Sequence, residues 1–132
     1  MSQENLEIVR ASVEAWKRGE AQMSLMYLHP EVSLDLRFRP DGKVWYGREG
    51  WRRGMAEWVH TWTNWKLEVE RCIEAGDDRV VVLWREEGQA KASGVPMSEA
   101  GVTVTTLRDG LIISSVLSLD RERVLAELGV EH

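Results

Sequence analysis

The sequence predicts a single α+β domain in which helices at the N-terminal end precede a curved, mainly antiparallel sheet. Apolar residues recur every three or four positions in the first part of the chain, as in amphipathic helices. Alternating and β-branched runs dominate the second part, as in strands. The chain has 132 residues, a length that fits one domain with its own core. Helices segregated from strands in this way are typical of the α+β class.

Two helices are expected before the first strand. The first carries one apolar stripe and ends at Gly19. A second, short helix should contain residues 23–28 and stop before Pro30, because proline disfavours helical geometry in the residue that precedes it. The stripe of the first helix consists of Leu6, Val9, Val13 and Trp16.

A strand, a loop and an aromatic helix should follow. Residues 32–37 alternate between apolar and polar, which predicts a half-buried strand. Residues 39–46 contain Pro40 and Gly42 and are predicted as a loop. The next helix is expected to begin near Gly47 and to bury one face, which consists of Trp51, Met55, Trp58, Val59 and Trp62.

Two further strands are predicted in the middle of the chain. Residues 66–73 alternate, residues 76–78 supply turn residues, and residues 80–86 form a more apolar strand. Residues 88–101 are predicted to contain a loop.

A hairpin and a helix complete the predicted fold. Asp109 and Gly110 join residues 102–107 to residues 111–119, and this pair tolerates the positive φ of a tight turn. Asp120 is expected to cap a final helix that Gly129 ends. Strict alternation puts two sets of side chains on the inner face of the hairpin: Thr103, Thr105 and Leu107 from one arm, and Ile113, Ser115, Leu117 and Leu119 from the other.

Composition and charge exclude several classes of protein. The net charge of −5 argues against a nucleic-acid surface, which needs a concentrated positive face. The apolar runs are shorter than the ~20 residues of a membrane helix, and no secretory signal is expected. Cys72 is the single cysteine, so we predict neither an internal disulfide nor a zinc site. We expect a cytoplasmic protein without metal or cofactor.

Short motifs along the whole chain give it a family resemblance. They are Glu4–Arg10, Arg18–Glu20, His29–Val32, Tyr46–Glu49, Ala75–Val82, Ser93–Gly94, Thr106–Gly110 and Leu119–Glu122. In this order they resemble the SnoaL-like, polyketide cyclase-like branch of the nuclear-transport-factor-2-like superfamily. The resemblance implies a cone-shaped α+β barrel roll around the N-terminal helices. It also implies a homodimer packed through the open face of the sheet, and a pocket for a small apolar molecule.

Members of this superfamily catalyse different reactions, so we compared their catalytic positions with this sequence. The positions that hold a histidine and an acid in the polyketide cyclases read Thr103 and Leu117 here. Those of the steroid isomerase hold no carboxylate. Those of the epoxide hydrolase read Trp84, Glu86 and Leu117, so that only one acid is retained.

Two acidic residues are therefore the candidate catalytic groups. Glu86 continues the face of Val82 and Trp84, and burial in the cone would raise its pKa into the range useful for proton transfer. A solvated position at the rim is favoured, because buried carboxylates are rare. Asp35 becomes a base only if the strand register slips by one residue; otherwise it pairs with an arginine on the surface. His60 lies off the apolar helix face and is expected to be exposed or dimer-facing.

The candidate ligand-binding residues combine indoles, aliphatic groups and hydroxyls. The tryptophans belong either to the core or to an aromatic box around a flat ligand. The hydroxyls either bond to each other or to the backbone, or orient an oxygen of a bound molecule. The set is Ser12, Met55, Trp58, Trp62, Val82, Trp84, Thr103, Thr105, Ser115 and Leu117.

Three functions remain open from the sequence. The first is binding of a small apolar molecule. The second is a cofactor-free hydrolase, isomerase or cyclase, acting on a terpene- or polyketide-like substrate, with Glu86 as acid or base. The third is an interaction module that binds another protein through the sheet face.

Overall fold

A computed structural model describes residues 2–130. Over this range the chain forms four helices and six strands, with one helix between the second and third strands. The helices are α1 (Ser2–Lys17), α2 (Ala21–Leu25), α3 (Gly47–His60) and α4 (Arg121–Leu128). The strands are β1 (Leu28–Asp35), β2 (Val44–Tyr46), β3 (Trp62–Glu74), β4 (Arg79–Ala90), β5 (Pro96–Arg108) and β6 (Leu111–Ser118).

All six strands form one open, curved sheet in the order β2-β1-β6-β5-β4-β3. β1 pairs in parallel with β6, and every other neighbouring pair is antiparallel. The predicted α+β class with a mainly antiparallel sheet is confirmed. No helix within residues 2–130 is long and apolar enough to cross a membrane.

The two faces of the sheet bury separate apolar clusters. The inner cluster joins α1 and α3 to the sheet, with Val9 and Trp58 among its buried members. The outer cluster packs α4 against the sheet through Val124 and Leu125. Alternation along β4 accounts for this division, because Val82 belongs to the inner cluster and Val81 to the outer one.

The start of β1 differs from the prediction. α1 ends as expected, with Gly19 at a φ of 78°. α2 is shorter than predicted, and Leu28 is the first residue of a strand and fully buried. Pro30 therefore lies inside β1 instead of ending a helix. The β1–β6 ladder is irregular between Leu28 and Ser33, and such an interruption tolerates a residue without an N–H group.

The segment around α3 corrects two further predictions. The predicted loop at residues 39–46 contains β2, which pairs with the end of β1. The predicted helix through Trp62 ends at His60, and Trp62 begins β3, opposite Ala90. Helical spacing could not reveal this boundary, because an indole at that position suits a strand as well as a helix.

β4 and β5 form a longer hairpin than predicted. The expected loop at 88–101 is reduced to residues 91–95, since Gln89 pairs with Pro96. Proline is tolerated at the first residue of a strand. Gly101 lies opposite Trp84 in this ladder. A Cβ at Gly101 would overlap the indole of Trp84, so this strand position needs glycine.

The β5–β6 hairpin has the predicted turn but a different inner face. Asp109 and Gly110 have φ values of 52° and 77°, as a type I′ turn requires. The register shifts between Thr106 and Leu107. Because of this bulge, Ile112 and not Ile113 belongs to the inner cluster. Leu119, also predicted to face inward, is 42% exposed.

The final helix follows its sequence signals. The Asp120 side chain accepts a hydrogen bond from the backbone N–H of Arg123, as an N-cap does. Gly129 ends α4 in the left-handed conformation.

Candidate functional site

An apolar inner cavity lies between α1, α3 and the concave face of the sheet. Its volume is about 90 Å³. Of the ten predicted ligand-binding residues, Trp62 alone is absent from its wall; the other nine are Ser12, Met55, Trp58, Val82, Trp84, Thr103, Thr105, Ser115 and Leu117. Trp62 is buried at the start of β3, beside Gly88, because the chain leaves the helix before reaching it.

Four hydroxyl groups interrupt the apolar wall of the inner cavity. Thr105 and Ser115 hydrogen-bond each other at 3.0 Å, and Thr103 Oγ1 accepts from Trp84 Nε1 at 2.9 Å. Ser12 also belongs to the wall, and its backbone carbonyl accepts a hydrogen bond from Ser24 Oγ at 3.4 Å. The hydroxyls of Thr103, Thr105 and Ser115 are therefore satisfied by the protein.

The inner cavity is small because indoles fill much of the space. An engineered cavity that binds benzene measures roughly 150 Å³, so this smaller one suits a smaller molecule unless side chains move. A groove of about 340 Å³ adjoins it between α2 and α3. Trp16, Trp51 and Met55 belong to both linings. Met55 is the flexible member of this shared wall.

Edge-to-face aromatic contacts form one end of the inner cavity. The ring centroids of Trp58 and Trp84 are 5.4 Å apart, and those of Trp58 and Trp65 are 6.4 Å apart. Phe38 packs against Trp58 at 6.1 Å. Glu86 follows Trp84 on the same face of β4 but is not part of the cavity wall.

Glu86 is fully buried, so the favoured expectation of a solvated rim position is wrong. Its Oε1 accepts a hydrogen bond from Trp65 Nε1 at 2.8 Å. Its Oε2 lies 3.5 Å from Arg39 Nη2. A strand end is solvated only if nothing covers it, and here the loop after β1 brings Arg39 over the carboxylate.

Burial raises the pKa of Glu86 to about 7. The hydrogen bond from Trp65 and the charge of Arg39 act in the opposite direction, while Glu99 raises the pKa further. Glu99 lies directly opposite Glu86 in the β4–β5 ladder. Near neutral pH the Glu86 carboxyl group can therefore either give or take a proton.

Arg39 is the functional candidate that the sequence did not reveal. Its guanidinium carbon lies 5.3 Å from the ring centroid of Phe38 and 5.4 Å from that of Trp58. Partial burial lowers its pKa. Arg39 stands in an irregular loop, and no periodicity predicts which way a loop side chain points.

A second cavity, the Arg39 cleft, lies on the other side of Trp58 from the inner cavity. Its volume is about 350 Å³, and its wall mixes charged and apolar groups. Trp58 belongs to the walls of both cavities. The main residues of the Arg39 cleft are Phe38, Arg39, Asp41, Lys43, Glu57, Trp58, Met97, Glu99 and Leu119.

The other titratable candidates lie away from both cavities. Asp35 accepts hydrogen bonds from Nε and Nη2 of Arg37, and this contact lowers the pKa of Asp35. Its neighbours Leu34 and Leu36 are buried on the inner face, so no register slip turns Asp35 inward. His60 is exposed and lies 3.3 Å from Lys91 Nζ.

Within residues 2–130, no group of three or more His, Cys, Asp or Glu side chains is placed to hold a metal ion.

Comparisons with known proteins place this geometry in a family. A family model described as the SnoaL-like domain matches residues 9–115. No curated protein matches the chain. A nuclear-transport-factor-2-like protein of unknown function from Burkholderia pseudomallei is 22% identical with a TM-score of 0.76, over 96% of this chain and 97% of that chain.

Two further solved structures have the same fold. Bal32a, from a soil-derived mobile gene cassette, is 16% identical with a TM-score of 0.81, over 96% of this chain and 97% of that chain. TerC, co-crystallised with polyporic acid, is 22% identical with a TM-score of 0.74, over 96% of this chain and 98% of that chain. At these identities the likeness concerns the fold alone. Since the family model covers most of the chain, the protein belongs to the SnoaL-like domain family.

Proposed function

We propose that the protein binds a small apolar molecule in the inner cavity. The observation that carries this proposal is an apolar cavity wall to which Ser12, a residue with a hydroxyl group, also belongs. An oxygen of the ligand would hydrogen-bond with the Ser12 hydroxyl, whereas the hydrocarbon part of the ligand would pack against the rest of the wall. TerC, a protein of the same fold, was crystallised with an organic molecule.

The volume of the inner cavity limits the ligand. A compact molecule fits the enclosed space, and a larger one must extend past Met55 into the adjoining groove between α2 and α3. We therefore propose a ligand with a small apolar ring or branch at its inner end and one oxygen close to Ser12.

Phenol and toluene test this proposal as a matched pair; each is larger than the enclosed space, so each must extend past Met55 into the adjoining groove. Saturable quenching of tryptophan fluorescence should report binding, because Trp58 and Trp84 belong to the cavity wall. The Ser12→Ala variant should weaken phenol binding by about fivefold, which is about 1 kcal/mol for a neutral hydrogen bond, and leave toluene binding unchanged. Equal losses for both compounds would contradict the role of Ser12.

A filling variant separates binding in the cavity from binding elsewhere. Val69 belongs to the cavity wall, so Val69→Phe should abolish quenching by either compound. Val95 is 55% exposed in the turn between β4 and β5, and Val95→Phe should leave it unchanged. Binding of neither compound to the wild type, at concentrations up to their solubility, would argue against the proposal.

Proton-transfer catalysis is the second candidate function. It is favoured by a fully buried carboxyl group with a pKa of about 7. A substrate would approach Glu86 from the Arg39 cleft, where Arg39 and Glu99 also lie. The reaction would be a cofactor-free hydrolysis, isomerisation or cyclisation of a terpene- or polyketide-like compound.

Turnover of a terpene epoxide, measured as diol by chromatography, tests this second candidate. Glu86→Gln keeps the shape of the side chain and removes its proton exchange, so activity should be lost while folding is retained. Glu87 is exposed on the other face of β4, and Glu87→Gln should retain activity. Full activity of Glu86→Gln would rule out this role.

We also propose that the protein forms a homodimer through the outer face of the sheet. Val116 is 44% exposed on this face, and α4 covers the part near Val124 and Leu125. Sedimentation should give twice the monomer mass, and Val116→Asp should give the monomer. A stable monomer in the wild type would leave this face available to a different protein, which is the interaction-module alternative.

A further inference from the structure

The guanidinium of Arg39 is half-buried and has few hydrogen bonds to the protein. Arg39 Nε is buried and has no partner within residues 2–130. The two remaining contacts are long, at 3.4 Å from Nη1 to Thr61 Oγ1 and 3.5 Å from Nη2 to Glu86 Oε2. Charge-assisted hydrogen bonds are ordinarily about 2.7–2.9 Å long. The protein alone therefore leaves this cation poorly satisfied.

Aromatic rings hold this unsatisfied group in a fixed place. The guanidinium carbon contacts the rings of Phe38 and Trp58 at 5.3 and 5.4 Å. These contacts partly compensate the positive charge, but they offer no acceptor to an N–H group. An arginine that is held in place and whose N–H groups lack close acceptors is a typical recognition element for a planar anion.

The space beside these N–H groups is large enough for a ligand. The Arg39 cleft measures about 350 Å³. The wall also includes Trp58, whose indole N–H is the other buried side-chain donor without a partner in the described part of the chain. Apolar groups of Phe38, Met97 and Leu119 complete one side of the cleft.

We propose that the Arg39 cleft is a second binding site, which takes the carboxylate of a small organic acid with an apolar carbon skeleton. The planar carboxylate accepts from Nη1 and Nη2, whose protein contacts are long, in a two-pronged geometry of the kind that arginine favours. The skeleton packs against Phe38, Met97 and Leu119. This inference concerns a different cavity from the proposed apolar site. The second candidate function uses the same cleft, but carboxylate binding is measured without turnover and does not depend on it.

The charges around the Arg39 cleft restrict the ligand to one carboxylate. Lys43 is a second cation on the wall, while Asp41, Glu57 and Glu99 are acids there. These acids would repel a dianion or trianion more strongly than they repel a monoanion. A monocarboxylic acid therefore fits the cleft better than a di- or tricarboxylic acid.

Binding at this site should be coupled to protonation of Glu86. The groups that face Glu86 are Arg39 from the loop after β1, Glu99 from β5 and Trp65 from β3. A bound carboxylate competes with Glu86 for the charge of Arg39 and adds a negative charge nearby. Both effects favour the protonated form of Glu86, so binding should take up a proton and weaken as the pH rises.

Benzoate and its neutral analogue benzyl alcohol are the probes for this site. The indole N–H resonance of Trp58, identified by its loss in Trp58→Phe, reports on both cavities, and the arginine variants below assign the shift to the cleft. Benzoate should shift this resonance saturably at concentrations up to about 10 mM, where about 3 kcal/mol of binding free energy is detectable. Benzyl alcohol should bind at least tenfold more weakly.

Matched arginine variants identify the donor. Arg39→Lys keeps the charge and removes the planar fork, so it should weaken benzoate binding at least tenfold. Arg37 is an exposed arginine paired with Asp35, and Arg37→Lys should leave the affinity unchanged. Equal losses in both variants, equal binding of the two probes, or no benzoate binding to the wild type would each overturn the proposal.

A measurement on the wild type tests the proposal even if Arg39→Lys does not fold. Benzoate affinity of the wild type should fall from about pH 6 to about pH 8, whereas Glu86→Gln should bind with the same affinity across this range. Calorimetry in buffers of different ionisation enthalpy should show proton uptake in the wild type alone. Affinity that is independent of pH in the wild type would contradict the coupling and, with it, a site at Arg39.

Discussion

The inner cavity and the Arg39 cleft differ in chemistry although Trp58 belongs to both walls. On the inner side, three of four wall hydroxyls have protein partners, and packing by indoles has reduced the space to about 90 Å³. On the cleft side, a half-buried guanidinium lies 3.5 Å from a fully buried carboxyl group, beside a space of about 350 Å³. The apolar region is nearly complete by itself, and the polar region is not.

One strand produces both regions. Val82, Trp84 and Glu86 follow each other on the inner face of β4, so a shift of two residues replaces an apolar wall by a buried acid. Apolar side chains fill space without needing direction, whereas buried polar groups need partners at defined angles. Partners at defined angles are harder to supply within one chain. For this reason the polar region, and not the apolar one, contains groups that lack a partner.

Removal of the Trp58 indole, which belongs to both cavity walls, should have the largest effect on stability. Trp58 is 5% exposed, so Trp58→Ala should lower the free energy of unfolding by about 3–5 kcal/mol, the range for deleting a buried aromatic ring. It should also join the two cavities. Urea denaturation measures the loss; Tyr46→Ala, at a residue 72% exposed, should change stability by less than about 0.5 kcal/mol.

Protonation of Glu86 should have the next largest effect. Because its pKa is raised from 4.5 to about 7, the native state binds more protons than the unfolded state between these values. The contribution of Glu86 to stability therefore falls as the pH rises from about 4.5 to about 7, by about 2–3 kcal/mol in total.

Urea denaturation of Glu86→Gln across this pH range isolates that contribution. The variant should gain stability relative to wild type as the pH rises, and Glu87→Gln should follow the wild type. The carboxylates of Asp35 and Glu70, whose pKa values are lowered, act with the opposite sign at lower pH and cancel in the difference. A difference that does not change with pH would contradict the buried state of Glu86.

Displacement of the Trp84 indole should have a smaller effect on stability than removal of Trp58. A Cβ on Gly101 would overlap the ring of Trp84, so Gly101→Ala should cost about 1–3 kcal/mol of unfolding free energy as overpacking. Gly50→Ala is the matched control in α3, since its Cβ would meet Trp45 at an ordinary 3.7 Å. Denaturation of both variants should separate them; equal stability would mean that Trp84 moves freely.

Removal of both hydroxyls of the buried Thr105–Ser115 pair should have the smallest net effect on stability. Thr105→Val leaves Ser115 without its partner at 3.0 Å and should cost about 1–3 kcal/mol. Adding Ser115→Ala removes the second polar group, so the double variant should be more stable than Thr105→Val. A double-mutant cycle by urea denaturation checks this; additive losses would show that the two hydroxyls act independently.

Local sequence signals predicted most elements but placed several ends wrongly. Asp109-Gly110 and Asp120 fixed a turn and a helix start correctly, because their effects depend on neighbouring residues. Pro30 and Trp62 misled the prediction, since pairing with a distant strand decided their conformation. The position of Ile112 depended on a bulge that alternation alone does not reveal.

The sequence by itself determined the α+β class, the family and the apolar set from which the inner cavity is built. These follow from periodicity and motif order, which are properties of the chain read locally. The tertiary structure alone decided that Glu86 is buried, that Trp62 is outside the cavity wall and that Arg39 meets Glu86. Arg39 and Glu86 are 47 residues apart in the chain, and only the closure of the loop over the sheet brings their charges together and covers the Glu86 carboxyl group.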